Sequence, residues 1–82
     1  MKISYHLKFT CLCPSDGEEI EYSLELQTDK FILVEDIKSF VEGLKNEKMY
    51  QEPLTELLFK KFACPVVTFG IHQDVEVVCE LQ

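Results

Sequence analysis

The run Phe9-Thr10-Cys11-Leu12-Cys13-Pro14 ends an alternating pattern at a cysteine followed by proline. A cysteine where a strand gives way to a turn is held by a rigid sheet yet faces an exposed loop. Its thiol is a nucleophile if its surroundings ionise it; otherwise Cys13 is a small packing residue. Acids follow at Glu18 and Glu19, and Gln51-Glu52 stands ahead of an amphipathic stretch. A carboxylate such as Glu52 can accept two hydrogen bonds from a pair of N–H groups, or it can simply complement a helix dipole. Glu19 has a structural alternative too, because alternating glutamates form the ordinary wet face of a strand. His72 falls at a hairpin tip and His6 on the solvent side of a strand. Either could contact a ligand.

The elements that must position these residues follow from periodicity. Ile3, Tyr5, Leu7 and Phe9 alternate with Lys2, Ser4, His6 and Lys8, the pattern of a half-buried strand. Pro14-Ser15-Asp16-Gly17 is a turn. Ile20, Tyr22, Leu24 and Leu26 then alternate with polar residues and predict the second arm of a hairpin. From Val34 the period becomes helical, through Ile37, Phe40, Val41 and Leu44, with Gly43 and Asn46 ending the helix. A second helix is expected to start near Pro53, with Leu54, Leu57, Leu58 and Phe62 as its apolar stripe. Val67, Phe69 and Ile71 predict a third strand, His72-Gln73-Asp74 a turn, and Val75, Val77, Cys79 and Leu81 a fourth strand. The expected class is α+β: one domain over residues 1–82, ordered β-β-α-α-β-β, with two helices on one face of a mostly antiparallel four-stranded sheet. The open edges of such a sheet invite pairing between subunits, and closure into a homo-oligomeric barrel would remove them.

Bulk composition narrows the function classes. The net charge is −7 and the chain has no arginine, which argues against a general phosphate-binding surface. Cys11, Cys13, Cys64 and Cys79 form no Cys-x-x-Cys pair and no histidine stands at finger-like spacing, so no metal site is expected. Four free thiols fit a reducing compartment. No apolar run is long enough to span a bilayer, and the alternating N-terminus lacks the apolar core of a signal peptide, so a cytoplasmic protein is expected.

Three stretches together resemble the tunnelling-fold family, whose members bind purines and pterins at subunit interfaces. Phe9-Thr10-Cys11-Leu12-Cys13-Pro14 is similar to the Phe-Thr-Ser-Leu-Cys-Pro stretch of the nitrile reductases of queuosine biosynthesis. Gln51-Glu52 resembles the His-Glu or Gln-Glu pair of tunnelling-fold enzymes. Leu33-Val34-Glu35-Asp36-Ile37-Lys38 and Val75-Glu76-Val77-Val78 resemble compact archaeal relatives, amidinotransferases that form archaeosine in tRNA. The resemblance implies Cys13 as nucleophile on the nitrile of a 7-cyano-7-deazaguanine, as free base or within tRNA or DNA. It also implies Glu52, in the Gln51-Glu52 pair, as the residue that grips the guanine-like edge; His72, chiefly a turn residue at its hairpin tip, is a further candidate substrate contact. The family's acid, an aspartate seven residues after the nucleophile, falls on Ile20; a slightly shorter turn would give that role to Glu19 rather than Glu18. The reductases hold NADPH with a Glu-Ser-Lys-Ser-x-Lys-type stretch, whereas Glu35-Asp36-Ile37-Lys38-Ser39-Phe40 keeps at most one glutamate and a displaced lysine. The implied reaction is therefore amidinotransfer with ammonia and no cofactor. NADPH-dependent nitrile reduction and a non-catalytic purine- or pterin-binding module are the alternatives.

Overall fold

The computed structural model describes residues 1–82. Strand β1 spans Ile3–Leu12 and β2 spans Glu19–Thr28; helices α1 and α2 span Val34–Glu42 and Gln51–Phe62; β3 and β4 span Val66–His72 and Val75–Leu81. The sheet is antiparallel throughout, in the order β1-β2-β3-β4. The expected β-β-α-α-β-β order is thus the observed one. No helix is long and apolar enough to cross a membrane.

Register decides which residues meet the helices. Phe9 lies opposite Tyr22, and Tyr22 opposite Gly70. Leu24 pairs with Thr68 and Leu26 with Val66. These residues turn to the helix-covered face and are buried. α1 packs on β1, and α2 packs on β3 and β4. Ile37 and Val41 of α1 and Leu54, Thr55 and Leu58 of α2 supply the opposing surface. Leu57 and Phe62, part of the expected α2 stripe, flank this core half-buried.

Two local features differ from expectation. α2 begins at Gln51, two residues before Pro53. Proline has no N–H to give, and the first turn of a helix requires none. In β3, the apolar set Val67, Phe69 and Ile71 lies on the uncovered face, while Val66, Thr68 and Gly70 face the helices and are buried. The cause is the pairing with β2, whose buried leucines and tyrosine dictate the parity of their partners.

The connections bring chain ends to one place. The turn after β1 is closed by Cys13 N–H donating to the Glu18 carbonyl at 2.8 Å, and by Gly17 N–H donating to the Cys13 carbonyl at 2.8 Å. Gly17 has φ +74, a conformation that glycine adopts without steric cost. The segment between the helices runs along the end of β1: Leu12 N–H donates to the Glu47 carbonyl at 2.9 Å, and Met49 N–H to the Leu12 carbonyl at 3.1 Å. That tether delivers the N-terminus of α2 to the sheet. β3 and β4 are joined through Gln73 and Asp74, both with positive φ. A two-residue hairpin turn of this hand matches strand twist.

Candidate functional site

The two hairpin turns lie at the same end of the sheet. Two residues from Tyr22 towards the first turn, Ile20 lies opposite Cys11, and β3 likewise continues from Gly70 to His72. The covered face of this end collects Cys11, Cys13, Tyr22, Gln51 and His72, with Glu52 beside them at the head of α2.

Cys13 is half-buried, and its Sγ lies 3.1 Å from Ser15 Oγ within the turn. Cys11 differs although it is two residues away on the same face. It is fully buried, and its thiol donates to the Glu47 carbonyl at 3.0 Å. Burial pushes the Cys11 thiol above its ordinary range, with hydrogen bonds from the backbone of Leu12 and Met49 opposing and the Glu47 carboxylate reinforcing. Cys64 is raised in the same way by burial. Cys11 and Cys64 are packing residues.

Gln51 is the organising residue. Only 2% of it is exposed. Its Nε2 donates to the Val77 carbonyl at 2.9 Å, and to Thr68 Oγ1 and the Thr68 carbonyl, both at 3.1 Å. Thr55 Oγ1 donates to the Gln51 main-chain carbonyl at 2.7 Å and lies 2.7 Å from Thr68 Oγ1. Because Thr55 spends its single proton on the carbonyl, Thr68 must donate to Thr55. The result is a closed ring: Gln51 amide to Thr68, Thr68 to Thr55, Thr55 to the Gln51 carbonyl. Every buried polar side-chain atom in the chain has a partner, as a buried network requires.

The amide oxygen of Gln51 settles a tautomer. His72 Nε2 lies 3.1 Å from Gln51 Oε1. That oxygen only accepts, so His72 Nε2 carries a proton, and in the neutral ring Nδ1 is left as an acceptor.

Tyr22 forms the floor. It is 1% exposed, its ring stacked on Phe9 with centroids 5.6 Å apart and tilted against His72 at 5.8 Å. Gly70 makes the room: a Cβ there would lie 2.6 Å from Tyr22 Cε1 and 3.1 Å from Gln51 Oε1. Burial pushes the Tyr22 phenol up to about 12, and the negative charges of Cys11, Cys13, Glu52 and Cys79 add to the effect. Tyr22 is thus a neutral hydroxyl at every ordinary pH. The sequence places Tyr22 on an apolar strand face but gives no sign of this role; its partner glycine is 48 residues away.

Of the expected site residues, Cys13, Gln51, Glu52 and His72 come together and Glu19 does not. Glu19 is exposed and pairs with Leu12 on the uncovered face. Glu18, just before β2, is exposed and accepts at its main-chain carbonyl from Cys13 N–H. His6 lies exposed on the uncovered face of β1. Two open hollows, of about 1150 and 620 Å³, lie elsewhere and include none of Cys13, Gln51, Glu52 and His72. The smaller follows the groove between β1 and α1 and takes in Glu19. The candidate site is therefore identified by convergent chemistry, not by cavity size. No cluster of three or more His, Cys, Asp or Glu side chains with metal-binding geometry occurs in the chain.

Comparison with solved structures bears on this arrangement. The chain superimposes on the crystal structure of the archaeosine synthase QueF-Like in the apo form with a TM-score of 0.83, at 18% sequence identity. The match covers 98% of this chain and 90% of that one. The chain has the tunnelling fold. No protein-family model and no curated protein matches it. The expected fold, inferred from short motifs and element order, is met.

Proposed function

We propose that this protein modifies a 7-deazaguanine through a nitrile, with Cys13 as nucleophile and ammonia as second substrate. The observation that supports this most is convergence: Cys13, Gln51-Glu52 and His72 are far apart in sequence and meet at one sheet end. They do so in a fold shared with an archaeosine synthase. The Cys13 sulfur adds to the nitrile carbon, one C–N π pair moves to nitrogen, and the thiol proton ends there, giving a thioimide. Ammonia adds to the same carbon, the C–S bond breaks, sulfur regains a proton and an amidine leaves. A carboxyl group near Cys13 is needed to shuttle the proton. Glu18, whose main chain is bonded to Cys13, is the nearer candidate, because Glu19 pairs with Leu12 on the uncovered face. Glu52 holds the guanine-like N–H edge.

Subunit association completes the reading. The uncovered face carries half-buried Val67 and Phe69 with exposed Ile71 and Val78. The accessible surface of 5462 Å² slightly exceeds the roughly 5,100 Å² expected for a compact monomer of this mass. A homo-oligomer would cover that face, and would gather lysines around a nucleic-acid substrate that an acidic monomer does not attract.

The test is incubation with 7-cyano-7-deazaguanine, free or in tRNA or DNA, with ammonium or NADPH. Mass spectrometry should show an adduct that Cys13→Ala abolishes and Cys11→Ala leaves, and an amidine with ammonium. NADPH oxidation dependent on the nitrile would replace this reading with the reductase; binding without product would leave a non-catalytic module. Glu52→Gln should weaken binding at least about tenfold without unfolding the exposed helix start.

A further inference from the structure

The mechanism above leaves three buried ionisable side chains unused: Cys11 and Cys64, which pack in the core, and Tyr22. Tyr22 is 1% exposed, yet its hydroxyl makes no hydrogen bond within the chain, and no buried polar side-chain atom is without a partner. The remaining exposure of Tyr22 therefore lies at its hydroxyl. The ring is packed between Phe9 and His72 and lies over Gly70. Tyr22 and the Gln51 amide meet over Gly70, and Glu52 follows Gln51. The hydroxyl thus stands at the same sheet end as Glu52.

We propose that Tyr22 is the hydrogen-bond donor of this site and determines its specificity, giving its hydroxyl proton to the ring carbonyl of a planar base whose N–H edge Glu52 holds. This rests on the guanine-like reading of the site above. The division of labour follows from donor chemistry. Glu52 as a carboxylate, and the Nδ1 atom of His72 in the neutral ring, only accept, so they recognise N–H groups and not a carbonyl. Tyr22 remains a neutral phenol, so it offers a proton at every working pH. A site with both kinds of group discriminates a 6-oxo base from one that lacks the oxygen, because the analogue would leave a polar group unpaired.

The experiment uses full-length Cys13→Ala protein, so that covalent chemistry does not intrude, and compares 7-cyano-7-deazaguanine with its analogue lacking the ring carbonyl. Calorimetry should give about a tenfold preference for the carbonyl base, falling to about twofold or less when Tyr22→Phe is added. Fluorotyrosine incorporated at Tyr5, Tyr22 and Tyr50 gives a second readout: the ¹⁹F signal lost in Tyr22→Phe should be the one moved by ligand. Tyr22→Phe should keep the melting temperature and sedimentation behaviour, since the ring and its stacking are retained. A lower melting temperature or a changed oligomer would give the hydroxyl a structural partner and overturn the proposal. So would an unchanged preference, even with the Cys13 adduct intact in otherwise native protein; the proposal would then fail while the nucleophile reading stood. No adduct in native protein, with the Tyr22 signal moved and the preference lost on Tyr22→Phe, would refute the nucleophile and retain the proposal. A base that neither binds nor moves the signal would sink both.

Discussion

The two ends of the helix-covered face are built from different materials. One apolar cluster runs the length of this face, and at the far end Leu26, Val66, Leu58 and Cys64 make it without buried polar side chains. At the end bearing Cys13, the buried set includes Tyr22, Gln51, Thr55 and Thr68. The first end is stabilised by area removed from water and tolerates rearrangement of shape. The second is held by directional bonds and offers one arrangement only. A small domain has little core to spare, and this chain places a polar ring in it at the end where Cys13 sits. The ring therefore reads as a positioning device, holding His72 and the start of α2 against β3 and β4.

The largest test of that contrast is at the apolar end. Leu58→Ala should cost about 2–5 kcal/mol in chemical denaturation, by lost transfer and a residual cavity. A cost below 1 kcal/mol would mean that this end is not the main source of stability. Gln51→Leu should cost about 1–3 kcal/mol, because the Val77 carbonyl and Thr68 each lose the Gln51 amide as a donor. It should also free the His72 ring, visible as faster exchange of the Nε2 proton by NMR. Loss of stability without that change would separate the ring from His72.

Two smaller effects sharpen the comparison. Thiol labelling should modify Cys13 well before Cys11 and Cys64, whose buried thiols resist ionisation. Equal rates would remove the distinction between the two neighbouring cysteines. In alkali, the folded Tyr22 phenol keeps its proton when an unfolded tyrosine has lost it. The folded state then binds more protons, so stability falls as pH rises from about 10 to about 12. Below that window Tyr22 contributes no pH dependence. Tyr22→Phe should flatten this part of the curve relative to the parent protein, measured as denaturation midpoint against pH.

The smallest expected change is at the α2 C-terminus. Ala63 caps the helix in a left-handed conformation, φ 53. Ala63→Gly should therefore stabilise by up to about 1 kcal/mol, as a rise in melting temperature. No rise would mean that the entropy of the unfolded chain outweighs the relief of strain.

Much of the fold is legible along the chain because periodicity is local. Alternation through Ile3–Phe9 and Ile20–Leu26, and helical spacing through Ile37–Leu44 and Leu54–Phe62, set the element order without knowledge of any contact. Cys13 is legible for the same reason, as the point where alternation meets proline. The tertiary structure decides which face each residue serves. In β3 the local pattern points the wrong way: Val67, Phe69 and Ile71 are more apolar than Thr68 and Gly70, yet the latter pair is buried. Register with β2 determines that parity, and register depends on side chains more than 40 positions distant. The same parity turns Glu19 to the uncovered face, sets Gln51 under the carbonyls of Thr68 and Val77, and hollows the sheet at Gly70 for Tyr22. One-residue choices of face carry no local free-energy signature; only the packed sheet makes one of them far cheaper than the other.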